Sequence, residues 1–389
     1  MKKFFAAIAT ALFGAVLVAL TVYADGTNEY AEQSSEAAEH KDETDVRTIA
    51  GTGSHGEADG GLAQFNLPFG VAALADGSLI VADSFNNLIR KVDADGYVMR
   101  LAGYLLSPGG DNFPQGAYHD DAAPYAFFHR PVSLAVNSDG WIFVADMYNH
   151  AVRVIVDGEV YTFAGGLGAG HEDGADARFN RPSGIAARAD GYVFVADAGN
   201  HAIRQISPNG YVTTIAGVAG EHGFADGMAN QALFDSPMGI ALSEDGILFI
   251  ADTGNNLIRK LERGSVSTFA GSSHFAVAQA GEEETYLVGG FADGPQQQAL
   301  FNQPVGLAIW GGKLLVADSL NHSIRAASLG GGDVLTIAGT GYADHIDGGF
   351  DAAAFHFPSG LAVMENTLFV ADTGNNMIRA INLENFILD

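Results

Sequence analysis

The sequence predicts an all-β protein, a six-bladed β-propeller of four-stranded antiparallel blades, closed by an N-terminal strand joining the last blade. Three observations carry this reading. A pattern of the form VAD-x-x-N-x-x-[IV]-R recurs six times, at 81–90, 144–153, 195–204, 250–259, 316–325 and 370–379. Gly accounts for 50 of 389 residues and charged residues for only 17%, a balance that favours many tight turns over helices with solvated charged faces. The sixth copy lacks the Ala-Gly strand that ends the first five, while an orphan strand of that type, VRTIAG at 46–51, stands before the first copy.

Taken in chain order, Lys2 and Lys3 precede an apolar stretch from Phe4 to Leu20, and Val22-Tyr23-Ala24 places small residues where a signal peptidase reads. Residues 1–24 are therefore expected to be a signal peptide, since the apolar stretch is short for a bilayer span. Residues 25–45 hold eight carboxylates and one Lys with almost no large aliphatics, so they cannot bury enough surface to offset ordering entropy and read as a disordered acidic linker. The propeller is then 46–389. Each repeat opens with Pro-x-Gly-aliphatic-Ala, its prolines being Pro68, Pro131, Pro182, Pro237, Pro304 and Pro358, with Ser133 replacing Gly in the second. Four short β-branched runs separated by turn residues make one unit, the signature of a four-stranded blade. Pairing the orphan strand with the sixth copy closes the ring and leaves no long unpaired edge.

These units, together with the connector Gly-Phe-Ala-Asp-Gly…Ala-Leu-Phe-Asn-x-Pro-x-Gly seen at 290–306, resemble the NHL repeat family across 46–389. The resemblance implies a propeller with a binding role, in a family that includes sensors, scaffolds, RNA-binding proteins and enzymes.

In such a blade the turn between the second and third strands and the connectors between blades share one face, the top. The turn residues Asp83, Asp146, Asp197, Asp252, Asp318 and Asp372 are thus top-face binding candidates, a cation-attracting or sugar-binding ring. A plainer reading stands beside it: Asp and Asn hydrogen-bond the turn backbone, and the Arg seven residues on pairs with a carboxylate. A Phe three residues before each Pro (Phe65, Phe128, Phe179, Phe234, Phe301, Phe355) is expected to wedge between blades. Connector aspartates (Asp59, Asp120, Asp173, Asp226, Asp293, Asp347) read as turns, or as calcium ligands in a sharper reading. Counted from the Ala-Gly glycine to the next Pro, two connectors are long, 28 residues (Gly103 to Pro131) and 33 (Gly271 to Pro304), and they lie three blades apart. They are read as facing walls of a top-face cleft, with Tyr118, Asp120, Glu283 and Tyr286 as binding candidates.

The innermost strands contain no Asp, Glu or His, so a channel metal would need ligands from the loops above. His150, His201 and His322 occupy one position beside the turn Asn, where the other copies carry Asn87, Asn256 and Asn376. A three-His metal set competes there with a shared hydrogen-bonding role. The chain has no Cys, which excludes a disulfide framework, a thiolate zinc site, a cysteine nucleophile and a lipoprotein anchor. A net charge of −27 disfavours a phosphate backbone, so nucleic acid is not an expected partner. The sequence therefore points to a secreted or envelope-associated, non-catalytic binding scaffold for a protein, peptide or glycan. It is expected to be monomeric, to have no membrane span after signal cleavage, and to need no cofactor. The alternative is a divalent-metal-dependent hydrolase or lyase of lactonase or amidating-lyase type, which would require Ca²⁺ or Zn²⁺ at the channel mouth.

Overall fold

The structure, a computed structural model, describes residues 44–107, 114–272 and 289–386, and the backbone of 276–278 and 285–287. The chain divides into two units, Met1–Thr44 and Asp45–Asp389. The signal peptide and the linker up to residue 43 lie outside the described residues. Asp45, at the linker's expected end, belongs to the propeller: its carbonyl accepts Asn382 N–H at 2.8 Å and its carboxylate accepts from Asn385 Nδ2 at 2.9 Å.

Six small antiparallel sheets form the blades. The innermost strands are Pro68–Ala73, Pro131–Val136, Pro182–Ala187, Gly239–Leu242, Pro304–Trp310 and Pro358–Met364. The last five residues of the second strand of each blade, such as Leu79–Asp83 or Leu248–Asp252, are all buried, because neighbouring blades cover both of its faces. Closure is as the sequence predicts. Val46–Ala50 pairs antiparallel with Met377–Asn382 in the register Val46↔Ile381, and so completes the sixth blade.

The blades differ from the expected four strands in one respect. In blades two, four and five a two-residue segment of the preceding connector (Asp121–Ala122, Gly227–Met228, Gly294–Pro295) pairs with the outermost strand and adds a fifth. In the other three blades the same contact is a single bridge, Gly60↔Val98, Gly174↔Val212 and Val46↔Gly348. Either way the connector covers part of an edge that would otherwise template aggregation.

The core lies between blades rather than within them. Each of six hydrophobic clusters combines side chains of two adjacent blades around one connector Phe. The cluster of Phe65, for example, joins Val81 and Val98 of the first blade to Phe369 and Ile378 of the last. All six phenylalanines are at most 1% exposed, as the wedge reading expects. Burying each contributes about 1.5–3 kcal/mol.

Near the axis the inner strands almost touch. A Cβ on Gly239 would sit 1.9 Å from Val305 O, and one on Gly306 only 1.8 Å from Ser359 O, so the Pro-x-Gly glycine is required by backbone approach. In the second blade Ser133 takes its place, and its hydroxyl accepts Ile185 N–H of the next blade at 3.3 Å.

Candidate functional site

The top face is built in two layers, and the outer one is a repeated ion network. In the fourth blade, Asp252 ends the second strand with its side chain wholly buried. Its Oδ1 accepts Asp235 N–H at 2.7 Å, and its Oδ2 accepts from Asn255 Nδ2 at 2.8 Å and Arg259 Nη1 at 2.7 Å. Arg259 in turn donates to the carbonyls of Leu233 and Ala225 and to Asp226 of the connector at 2.6 Å, with Phe234 beneath the guanidinium. Asp226 also accepts Thr268 N–H of the outermost strand at 2.9 Å.

The same set recurs around Arg90, Arg153, Arg204, Arg325 and Arg379. Burial pushes each of the six turn aspartates up to about 6, against the pull of its arginine, a backbone N–H and the asparagine amide. The carboxylates are therefore ionised at neutral pH. Asp83, Asp146, Asp197, Asp252, Asp318 and Asp372 are all 0% exposed, so the candidate ring has no surface on the open face and its oxygens hold the connectors to the blades. The plainer of the two sequence readings describes this geometry.

The connector aspartates serve the same network. Asp120, a binding candidate, meets Arg153 and the backbone N–H of Thr162 at 2.9 Å, with its side chain 40% exposed. Tyr118 is exposed and lies over Arg153, its hydroxyl 2.6 Å from Thr162 Oγ1, which puts this loop against the outer strand of blade two. Five threonines, Thr48, Thr162, Thr214, Thr268 and Thr336, make this contact. The sequence reading passed them over, although their recurrence in the last strand of five units was the available signal. The second long connector forms a small hairpin, Ala276–Ala278 with Thr285–Leu287. Tyr286 falls in that hairpin with its side chain outside the described residues, and Glu283 lies outside them altogether.

The inner layer surrounds the channel mouth. Beside each turn, one residue adopts a left-handed backbone conformation: Asn87, His150, His201, Asn256, His322 and Asn376, with φ between 52° and 55°. Each accepts the N–H of the residue preceding the next blade's inner strand. Asn87 and Asn256 do so through Oδ1, at 2.8 Å from Arg130 N and 2.7 Å from Gln303 N. His150, His201 and His322 do so through Nδ1, at 3.1, 3.0 and 3.2 Å from Arg181, Ser236 and Phe357.

This makes the exchange of His and Asn one of shared acceptor function and fixes the histidines as neutral Nε2–H tautomers. Burial holds His150 and His201 below the usual histidine range and His322 down to about 4. The three stand on blades two, three and five and are not brought together. Among the described residues no group of three or more His, Cys, Asp or Glu side chains could hold a metal ion.

The residues that donate these bonds, Leu67, Arg130, Arg181, Ser236, Gln303 and Phe357, all have φ between 47° and 55° and stand just before the inner strands, at the top of the channel. Below them the channel encloses about 70 Å³, lined by one segment from each blade, including Phe69, Ser133, Ser183, Met238, Val305 and Gly360. A small-molecule pocket is typically about 300–1,000 Å³, so the channel itself holds no more than a few waters.

Comparison with known proteins agrees with this architecture. The NHL repeat family model matches residues 128–155 and 301–326. "Protein SUPPRESSOR OF QUENCHING 1, chloroplastic" of Arabidopsis thaliana is 33% identical over 293 residues, which cover 71% of this chain and 27% of that protein. NHL repeat-containing protein 2 of Bos taurus is 28% identical over 342 residues, 79% of this chain and 45% of that one. The chain thus spans less than half the length of these curated relatives. Among solved structures, an auxiliary nutrient binding protein from Bacteroides thetaiotaomicron shares the fold, with a TM-score of 0.62 at 13% identity over 86% of this chain and 75% of that one. Six copies of the repeat, each folded as a blade and closed by the N-terminal strand, place the chain in the NHL-repeat family of six-bladed β-propellers.

Proposed function

We propose that the protein is a non-catalytic binding scaffold, acting outside the cytoplasm, that recognises a protein, peptide or glycan with the top face of the propeller. The observation that carries this reading is the contrast between a filled channel and a chemically varied rim. The inner strands leave room for about 70 Å³, while the six pre-proline positions above them carry five different residue types on an otherwise repeated frame. A rigid disc with side-chain variety concentrated at one mouth is what a recognition surface requires, since ordering such a surface costs little on binding. The fold shared with a nutrient-binding protein supports a binding role, and the expected signal peptide supports export.

The test uses the full chain on peptide and glycan arrays, beside a variant altered at the rim (Tyr148→Ala with Phe357→Ala) and one altered at a turn on the opposite face (Arg263→Ala). Binding that falls only in the rim variant is the expected result. Binding unchanged in the rim variant overturns the top-face assignment. Stoichiometric Zn²⁺ or Ca²⁺ in the purified protein, required for turnover of a small substrate, overturns the non-catalytic one. N-terminal sequencing of protein recovered from the culture medium or envelope should begin after Ala24; recovery from the cytoplasm alone refutes export.

A further inference from the structure

The connector into blade two carries a surface separate from the channel mouth. All six connectors share one backbone frame. In each, the residue before the wedging Phe donates its N–H to the carbonyl of the residue before the connector Asp at 3.0–3.1 Å, as from Gln64 to Ala58, Phe127 to His119 and Leu300 to Ala292. On this frame blade two alone places four aromatic side chains: Tyr104 just after the Ala-Gly glycine, His119 before Asp120, and Tyr125 and Phe127 ahead of Phe128. At the corresponding places of the other five connectors no residue is aromatic. The frame does not need rings there, since five copies fold without them.

Alternation fixes the direction of two of these side chains. Ala126 and Phe128 are buried, so Tyr125 and Phe127 face outward; Tyr104 is 46% exposed and Tyr125 61%. Tyr104 N–H donates to Ala126 O at 2.9 Å, and its ring stands 5.7 Å from that of Phe127 between centroids. The His119 ring is 6.0 Å from Phe127 in turn. The planes of Tyr104 and Phe127 meet at 85°, so the rings wall a corner rather than form a flat shelf. Exposed aromatic side chains grouped in this way are the usual anchors of a contact surface.

Carboxylates without a Lys or Arg partner border the corner. Asp121 Oδ2 lies 3.5 Å from His119 Nε2, and its side chain is 46% exposed. Asp121–Ala122 pairs with Glu159 and Val160 of the outermost strand, which brings Glu159 and the exposed turn residue Asp157 alongside. Among the described residues no Lys or Arg pairs with any of these three, and the chain has no Lys or Arg between Arg100 and Arg130. Ring faces attract an ammonium through their quadrupole and carboxylates attract it through charge, and the two stand together here.

We propose that this corner docks a basic peptide, with a lysine ammonium against Tyr104, Tyr125 and Phe127 and Asp121 beside it. Charge complementarity selects the partner. The three carboxylates repel an anion, and rings at 85° give a sugar ring no continuous floor. The net charge of −27 steers a basic partner toward the chain. The site is independent of the top-face reading and adds a second surface to it.

The experiment measures fluorescence anisotropy of a labelled octapeptide of alternating Gly and Lys with the full chain, in about 150 mM salt, where the Debye length is about 8 Å. Three versions carry free, acetylated or trimethylated lysines. Acetylation removes the charge; trimethylation keeps it and removes every N–H donor, which ring faces tolerate and a hydrogen-bonded ion pair does not. The free and trimethylated peptides should bind at least about fivefold more tightly than the acetylated one, and the Tyr104→Ala, Tyr125→Ala double variant should weaken both by about fivefold or more. That variant keeps the net charge, so general attraction to an acidic protein survives in it. Both side chains are exposed, an unchanged melting curve confirms folding, and the comparison of peptides on the unaltered chain needs no variant. Equal affinity of the variant and the unaltered chain, equal affinity of all three peptides, failure of the trimethylated peptide, or no binding at all overturns the proposal. Tyrosine-dependent binding of cellotetraose without binding of the lysine peptides overturns it in favour of a glycan. Loss of peptide binding in the Tyr148→Ala, Phe357→Ala variant alone also overturns it, and moves the peptide to the channel mouth in agreement with the top-face reading.

Discussion

At three of the six blade junctions the acceptor for the pre-proline N–H can be protonated, and this gives the propeller a weakness to acid that a single substitution removes. His322 takes Phe357 N–H at Nδ1, 3.2 Å away, and burial, with the His356 ring 5.7 Å off, holds its pKa down to about 4 from an ordinary 6.5. A proton on Nδ1 would face the N–H it now accepts, so the proton binds the unfolded chain better. The stabilisation is therefore complete above pH 6.5 and is lost as pH falls through the interval down to about 4. Between about pH 7.5 and pH 4.5 the shift corresponds to about 2.5 kcal/mol unscreened, and partial exposure of the ring reduces this to about 1–2 kcal/mol.

Asn at the same position keeps the acceptor and cannot titrate, as Asn376 shows with Leu67 N–H at 2.8 Å. In urea unfolding of the full chain, His322→Asn should lose about 1–2 kcal/mol less than the unaltered protein over that pH interval. Equal losses, within about 0.5 kcal/mol, would refute the junction argument.

Other perturbations separate the layers of the structure. Asp252→Asn removes the wholly buried partner of Arg259 and should destabilise by about 3 kcal/mol, the low end for a broken buried pair because Asp226 still reaches Nη2; Asp226→Asn, at a 47% exposed carboxylate, should cost about 1 kcal/mol or less, and chemical denaturation that ranks the two the other way contradicts the network. Gly306→Ala forces a Cβ to within 1.8 Å of Ser359 O and should destabilise by about 1–3 kcal/mol, seen as a lowered melting temperature. Removing residues 45–50 strips the strand that covers Met377–Asn382 and should convert the protein to oligomers on size-exclusion chromatography; a monomer with unchanged melting would show that closure contributes nothing.

Blade number, closure, the wedging phenylalanines and the common role of His and Asn were legible because each repeats, and repetition in sequence reports what every copy of a fold needs. The network was only half legible. That Arg259 pairs with a carboxylate follows from the motif, but its second partner, Asp226, is 33 residues away in the chain. Spacing alone left that aspartate as a turn or a metal ligand. The rim was not legible at all. Leu67, Arg130, Arg181, Ser236, Gln303 and Phe357 have no chemistry common to all six, and what unites them is a left-handed backbone before proline, a property of φ that no periodicity records. The short fifth strands escaped notice because two residues carry no alternation to read.

The division between repeated and variable positions has a physical basis that bears on function. A turn Asp must neutralise a fully buried Arg in every blade, and leaving either without the other would strand a charge in low dielectric, so those positions tolerate no change of chemistry. A pre-proline rim residue is held by its backbone alone: the N–H goes to the His or Asn of the preceding blade, and the following Pro anchors the inner strand. Its side chain is partly exposed at four of the six, Arg130, Arg181, Ser236 and Gln303, and buried at Leu67 and Phe357. Such positions can differ from blade to blade without loss of closure, and in this chain they do, with two guanidiniums on one side of the mouth and an aromatic wall on the other. Variation at positions where the frame repeats only the backbone conformation is what would let a symmetric scaffold present a directional surface.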